Sequence, residues 1–149
     1  VRHLAYQLHP SILDDLGLPI ALQRLVDDFT VRSSLRGSFG HKNIPEAVPQ
    51  EIATCLYRVA QESLNNVARH AEATRVDVEL TRSRSGLMVT ITDDGVGFVS
   101  EQFPNGRHGL GLLSMKERVA LVQGALQIVS SVGKGTRVQV VVPILEEEE

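Results

Sequence analysis

The stretch Gln61-Glu-Ser-Leu-Asn-Asn-Val-Ala-Arg-His-Ala71 decides the fold of this 149-residue chain, because its pattern predicts the second half of a helix that opens near Pro49. Side chains three or four positions apart share one helix face. One such face of the stretch is polar and consists of Glu62, Asn66, Arg69 and His70. The other face is mainly apolar and predicts a core stripe of Ile52, Leu56, Val59, Ser63 and Val67.

The polar strip combines a carboxylate, an amide and two basic groups. Hard oxygen ligands suit Mg2+, and basic side chains suit phosphoryl oxygens, so the strip can serve a metal ion with phosphates. Taken alone, the strip is more typical of a solvated face whose charges pair with each other, which is common on surface helices. The strip alone leaves both interpretations open, and the motifs further along the chain favour the first.

Composition predicts a globular protein with a real core, since 42% of residues are hydrophobic and 22% charged. A net charge of -3 gives no basic surface, so no nucleic-acid partner is expected. The single cysteine, Cys55, excludes an internal disulfide and is expected in the core of a reduced, cytosolic protein. No apolar run approaches the roughly 20 residues of a membrane span. Because the chain starts at Val1 in mid-pattern, we expect a cytoplasmic fragment of a longer protein, which can still be membrane-anchored.

Hydrophobic periodicity predicts helices and strands in separate groups. In chain order we expect a helix over 1–9, a connecting stretch over 11–19 with a turn at Gly17, a helix from Pro19 to about Phe29, an edge strand over 33–39, a loop over 40–48, the long helix over 49–71, strands over 74–83 and 87–92, a mobile loop over 98–108, a helix from Gly109 to about Gln123, and strands over 126–131 and 136–142. This grouping favours an α+β two-layer sandwich with helices on one face of a mostly antiparallel, mixed sheet.

The motif Asp93-x-Gly95-x-Gly97 ends the second predicted strand. Two glycines there let the backbone turn sharply and approach a flat ligand. An aspartate at a strand end can accept a hydrogen bond from an exocyclic amine such as that of adenine. A hairpin turn is the alternative, since Asp-Gly is a strong hairpin signal, but no strand follows at once.

Two further glycine motifs follow. Gly109-Leu-Gly111 opens a predicted helix, where free backbone N–H groups can meet phosphate oxygens, although a plain helix entry remains open. Gly133-Lys-Gly-Thr136 is not a P-loop, because it lies between two strands, and it predicts a β-turn from which Thr136 can point at a ligand. The five histidines show no zinc-binding spacing.

In this order the motifs resemble the Bergerat ATP-binding (GHKL) fold that gyrase, Hsp90, MutL and histidine kinases share. More narrowly, the stretches from Tyr57 to Ala71 and from Gly109 to Val119 resemble the nitrate-sensor/DesK-type subfamily of two-component sensor histidine kinases. The segment from Leu8 to Leu18 is similar to the one that joins the phosphoacceptor helices to the catalytic domain there. The resemblance runs from about residue 1 to Pro143.

The resemblance implies a role for each motif residue. Asn66 would be the Mg2+ ligand, chosen over Asn65 because it is four residues from Glu62. Glu62 would lie beside the metal and the γ-phosphate, with its role in catalysis left open. The remaining implied contacts are Arg69, His70, Gly109 and Gly111 near the phosphates, Asp93 on the adenine amino group, Gly95 and Gly97 in the pocket floor, His108 at the end of an ATP lid over 98–108, and Thr136 in the adenine site.

The implied activity is transfer of the ATP γ-phosphoryl group to a histidine, for relay to a response-regulator receiver domain. The acceptor and most of the homodimerising helices are expected upstream of Val1, because His9 is followed by Pro10 and not by an acidic residue. Residues 1–30 would then be a remnant of that region and its linker, 31–145 the ATP-binding domain and 146–149 an acidic tail. This chain is expected to bind ATP without phosphorylating itself. The alternatives are another ATPase or serine kinase of this fold, or a non-catalytic interaction module.

Overall fold

The computed structural model of the protein describes residues 10–97 and 109–144, with backbone alone at 70–71 and 109–111. Its elements are α1 (Ser11–Ser33), β1 (Arg36–Lys42), α2 (Gln50–Asn66) with a π-helical turn (Val67–Ala71), β2 (Arg75–Ser83), β3 (Gly86–Asp93), α3 (Gly109–Leu121), β4 (Ala125–Ser130) and β5 (Thr136–Val142). The predicted helix over 1–9, the predicted lid with His108, and the acidic tail lie outside the described residues.

The five strands form one mixed sheet in the order β1-β2-β3-β5-β4. β1 runs parallel to β2, and the other neighbours are antiparallel. Alternate residues of the central strands are buried because successive side chains point to opposite faces. The buried set is Val76, Val78, Leu80, Leu87, Val89, Ile91, Val138, Val140 and Val142. α2 packs on β3 and β5, and α3 packs on α2 and β4, which confirms the predicted α+β sandwich.

The first described helix corrects the sequence prediction. Residues 11–16 are helical, and only Gly17, at the predicted turn, leaves helical geometry, with φ 84° and ψ 166°. Leu13 and Leu18 are both buried, so core packing on each side of the kink holds the two helical segments. Leu22 and Phe29 belong to the same core as the sheet. The proposed division of the chain near residue 30 stays a prediction.

α1 ends later than the sequence predicts, so the first strand also starts later. Ser33 Oγ donates to the Phe29 carbonyl at 2.7 Å, and the Ser34 N–H donates to the Thr30 carbonyl at 3.2 Å, with Ser34 left-handed at φ 67°. The helix therefore continues to Ser33, and β1 starts at Arg36 instead of Ser33 and extends to Lys42. Its edge position agrees with the prediction.

The long helix was predicted as one α-helix to Ala71, and this is correct only as far as Asn66. Leu56, Val59, Ser63 and Val67 are buried, as the predicted stripe requires, whereas Ile52 is partly buried. From Val67 the turn is π-helical, with wider i→i+5 spacing. Arg69 and His70 therefore do not keep the α-helical angle to Asn66 that the predicted strip assumed.

Sulfur atoms take part in the packing of α2 against α3. Ser63 Oγ lies 3.7 Å from Met115 Sδ, and Cys55 Sγ lies 4.0 Å from the Arg118 carbonyl oxygen. Cys55 is 2% exposed, so its predicted core position is confirmed. Among the described helices, none has the length and apolar character needed to cross a membrane.

Candidate functional site

Four residues lie opposite one another in a row at one end of the sheet. Antiparallel register pairs Val76 with Asp93, Asp93 with Thr136, and Thr136 with Ser130. Asp93 continues the buried alternation of β3, so it faces the helical layer and is only 8% exposed. A carboxylate at such a position needs hydrogen-bond donors, since a buried charge without partners is costly.

Backbone N–H groups supply those donors. Asp93 Oδ1 accepts from the Gly95 N–H at 2.8 Å, and the Thr136 N–H also bonds the carboxylate. Burial nevertheless raises the pKa of Asp93 above its ordinary value, against the lowering effect of these two N–H groups, and the charge of Asp94 adds to the rise. An ionised carboxylate has about four acceptor sites, so Asp93 retains capacity for a ligand donor.

Two glycines bring the turn after β3 into backbone contact with the turn between β4 and β5. Gly97 has φ 69°, and a Cβ there would lie 2.1 Å from the Ser131 carbonyl oxygen. The Gly133 N–H donates to the Val96 carbonyl at 2.6 Å. The close approach at Gly97 is therefore to the turn before β5, a partner that the sequence did not identify.

Asp94 is a structural residue that sequence reasoning missed. Its carboxylate accepts from the Thr74 N–H at 2.9 Å, the Thr74 hydroxyl at 2.6 Å and the Arg75 N–H at 3.0 Å. These bonds lower the pKa of Asp94. They tie the motif after β3 to the start of β2, the strand that follows the π-helical turn along the chain. No local pattern could reveal this, because the partners are about twenty residues apart in sequence.

Glu62 and Asn66 of the polar strip lie on α2, the helix that covers β3 and β5, and Arg69 lies on the π-helical turn that follows. Glu62 and Asn66 are half-buried, whereas Asn65 and Arg69 are exposed. Burial raises the pKa of Glu62, and the positive charge of Arg69 opposes that rise, so these two residues interact electrostatically. The His70 side chain lies outside the described residues. α3 begins at Gly109, as predicted, and presents its N-terminus with Gly111 in the first turn.

The donor chemistry of the strip fits Mg2+. Glu62 and Asn66 offer a carboxylate and an amide oxygen on one helix, four residues apart. Mg2+ in phosphate-binding sites takes one or two protein oxygens, with phosphates and water completing its coordination. Across residues 10–97 and 109–144, no group of three or more His, Cys, Asp or Glu side chains could hold a metal by itself.

The sequence of this chain matches a known protein family and several characterised proteins. The family model described as histidine kinase-, DNA gyrase B-, and HSP90-like ATPase matches residues 51–146. The sensor histidine kinase MctS of Rhizobium johnstonii is 40% identical over 132 residues, 88% of this chain and 29% of that protein. The oxygen sensor histidine kinase NreB of Staphylococcus carnosus is 36% identical over 146 residues, 98% of this chain and 42% of that protein. The chain thus spans less than half the length of these relatives.

Solved structures agree on the fold. The ATP binding domain of PrrB from Mycobacterium tuberculosis has a TM-score of 0.70 at 22% identity, covering 86% of this chain and 94% of that one. The blue-light activated histidine kinase of Erythrobacter litoralis has a TM-score of 0.67 at 27% identity, covering 85% and 41%. Together the matches confirm the resemblance that the motifs indicate.

Proposed function

Because this chain belongs to the family of histidine kinase-, DNA gyrase B- and HSP90-like ATPases and is the ATP-binding domain of a sensor histidine kinase, we propose that it binds Mg·ATP and positions the γ-phosphoryl group for transfer to a histidine of its parent protein. The observation that carries this proposal is the buried Asp93 carboxylate at the end of β3, held by backbone N–H groups beneath the helix that bears Glu62 and Asn66.

At the adenine end, Asp93 accepts a hydrogen bond from the exocyclic amino group. Its two backbone donors fix the carboxylate before the ligand arrives, so little ordering is needed on binding. Thr136 lies beside it in register and supports the same edge of the base, with Gly95 and Gly97 in the pocket floor.

At the phosphate end, Asn66 would hold Mg2+ through its amide oxygen, with Glu62 beside it. Bound Mg2+ would neutralise charge on the phosphates. Arg69 adds a positive charge at this end, and the resemblance assigns His70 to the phosphates as well. The backbone N–H groups at the start of α3, around Gly109 and Gly111, suit phosphate oxygens. His108 and the lid over 98–108 are assigned here from the resemblance.

In the transfer step, a histidine ring nitrogen donates its lone pair to the γ-phosphorus. The bond from that phosphorus to the β–γ bridging oxygen breaks, ADP leaves with the electron pair, and the imidazole proton passes to a base. The phosphoryl group then moves to an aspartate of a response-regulator receiver domain. The domain contributes positioning and charge neutralisation. The acceptor histidine and the homodimer contacts belong to the parent's dimerisation helices.

The test is calorimetric titration of this chain with ATP, with and without Mg2+, using the adjacent asparagines as a matched pair. Asn66→Ala should lose the Mg2+ dependence of binding. Asn65→Ala, on the exposed neighbouring position, should retain it. A folded chain that binds no ATP, or an Asn65→Ala variant that behaves like Asn66→Ala, would contradict the assignment.

A second measurement tests whether the phosphoacceptor histidine lies outside this chain. After incubation with radiolabelled ATP, the chain alone should carry no stable phosphohistidine. Label on His9 would show that the acceptor is misassigned.

A further inference from the structure

The buried Ser130 lies next to Thr136, which in turn lies beside Asp93, the residue that we propose to bind adenine. Ser130 is 8% exposed and pairs with Thr136, which in turn pairs with Asp93. Ser130 Oγ lies 3.2 Å from the Gly135 carbonyl oxygen and 2.8 Å from Thr136 Oγ1. The proposed function gives this serine no role.

The directions of these two hydrogen bonds follow from proton counting. A carbonyl oxygen only accepts, so Ser130 donates its O–H to the Gly135 carbonyl. A hydroxyl has one proton, and Ser130 therefore accepts in its contact with Thr136. With the Ser130 proton on the Gly135 carbonyl, Thr136 becomes the donor in that contact and presents lone pairs to its other neighbours.

The neighbour on the other side of Thr136 is the Asp93 carboxylate, which when ionised also only accepts. The row thus offers two acceptors side by side. An amino group with two N–H donors matches such a pair, whereas a carbonyl oxygen at the same place would face lone pairs and leave buried groups unpaired.

We infer that Ser130 is a positioning residue that fixes Thr136 as a hydrogen-bond acceptor and thereby selects a purine with a 6-amino group over one with a 6-carbonyl group. This inference rests on the proposed function, since it places the nucleobase at Asp93 and Thr136. Polar sites of this kind discriminate strongly because the wrong ligand leaves a buried group without a partner.

The experiment measures the dissociation constants of Mg·ATP and Mg·ITP (inosine 5′-triphosphate) by calorimetry and takes their ratio. The wild-type chain should prefer ATP. In Ser130→Ala, the Thr136 proton is released to turn toward a ligand carbonyl, so the ratio of the ITP to the ATP constant should fall about tenfold, the effect of one hydrogen bond. Ser131→Ala, at the next, exposed position, should keep the wild-type ratio.

Thr136→Val supplies an independent reading that holds even where Ser130→Ala fails to fold. Removing a hydroxyl that only accepts should also lower the preference for ATP, and adding Ser130→Ala to Thr136→Val should change the ratio no further. A purely structural serine would alter stability and leave the ratio unchanged.

The outcomes separate the two claims. A wild-type chain that prefers ATP, with an unchanged ratio in folded Ser130→Ala or in Thr136→Val, overturns the inference alone. A wild-type chain that binds neither nucleotide overturns the proposed function and the inference with it.

Discussion

A Cβ added to Gly135 would lie 2.1 Å from the carbonyl oxygen of Asp93. The turn before β5 therefore touches the backbone of β3 at the residue that we assign to adenine. Gly135 is also left-handed, with φ 79°. Both the backbone angle and the contact exclude a side chain at Gly135. This glycine therefore allows the turn before β5 to approach β3 closely.

Gly135→Ala should destabilise the fold more than Gly133→Ala. Both glycines are left-handed, at φ 79° and 83°, which costs a non-glycine residue about 1–2 kcal/mol. A Cβ at Gly133 meets nothing within 4 Å, so that variant isolates the backbone cost. Gly135→Ala should add about 1–3 kcal/mol of overpacking. Urea unfolding measures both, and equal destabilisation would show that the Gly135 turn relaxes freely.

Asp93→Asn should lose ATP affinity without a matching loss of stability. Burial raises the pKa of Asp93 above its unfolded value, so its contribution to stability is present below the unfolded pKa and is lost as pH rises through the folded pKa. At neutral pH the ionised form of Asp93 therefore favours folding less than the protonated form would. Hydrogen bonds to charged groups contribute about 1.5–3 kcal/mol, so ATP affinity should fall roughly 10- to 100-fold.

Thermal melting and calorimetry at neutral pH check this prediction. Asp77→Asn is the control, because Asp77 alternates with the buried Val76 and Val78 and so lies on the opposite face of the sheet. For the wild type, ATP binding should weaken on acidification at a higher pH than an ordinary aspartate would give. A destabilised Asp93→Asn that still binds ATP normally would refute the assignment.

Asp94 should stabilise the fold by anchoring Thr74. Its pKa is lowered by the side-chain and backbone bonds from Thr74 and by the Arg75 N–H, so its stabilisation is present above the unfolded pKa and is lost as pH falls through the folded pKa. Asp94→Ala should therefore melt earlier than wild type at neutral pH, with the difference vanishing in strong acid. Asp94→Asn keeps one oxygen acceptor and should recover part of the loss. An Asp94→Ala variant with wild-type melting across the pH range would show that the anchor is dispensable.

Cys55 should resist thiol reagents in the folded chain. Burial raises the pKa of its thiol to about 11, and the thiolate is the reactive form. With Ellman's reagent near pH 8, the native protein should react slowly, and the denatured protein should release one equivalent, since the sequence has a single cysteine. Rapid stoichiometric reaction without denaturant would mean that the contact between α2 and α3 opens readily.

Periodic segments were predicted well. The paired strands β2 and β3, the long helix α2 and the glycine-led helix α3 follow from alternation, helical spacing and end signals in their own residues. The positions of α1 and β1 were less accurate. The sequence around Ser11 and Ser33 is ambiguous locally, and burial of Leu13 together with side-chain bonds at the end of α1 decided where that helix begins and ends.

The sequence by itself supplied the chemical groups that we propose for the site, because the Glu62, Asn66 and Asp93 motifs are short and local. Only the tertiary structure decided that Asp93, Thr136 and Ser130 stand in one row and that Asp94 anchors Thr74. The physical reason is strand order. β5 inserts between β3 and β4, so the register of long-range hydrogen bonds, which no local pattern encodes, brings these side chains together.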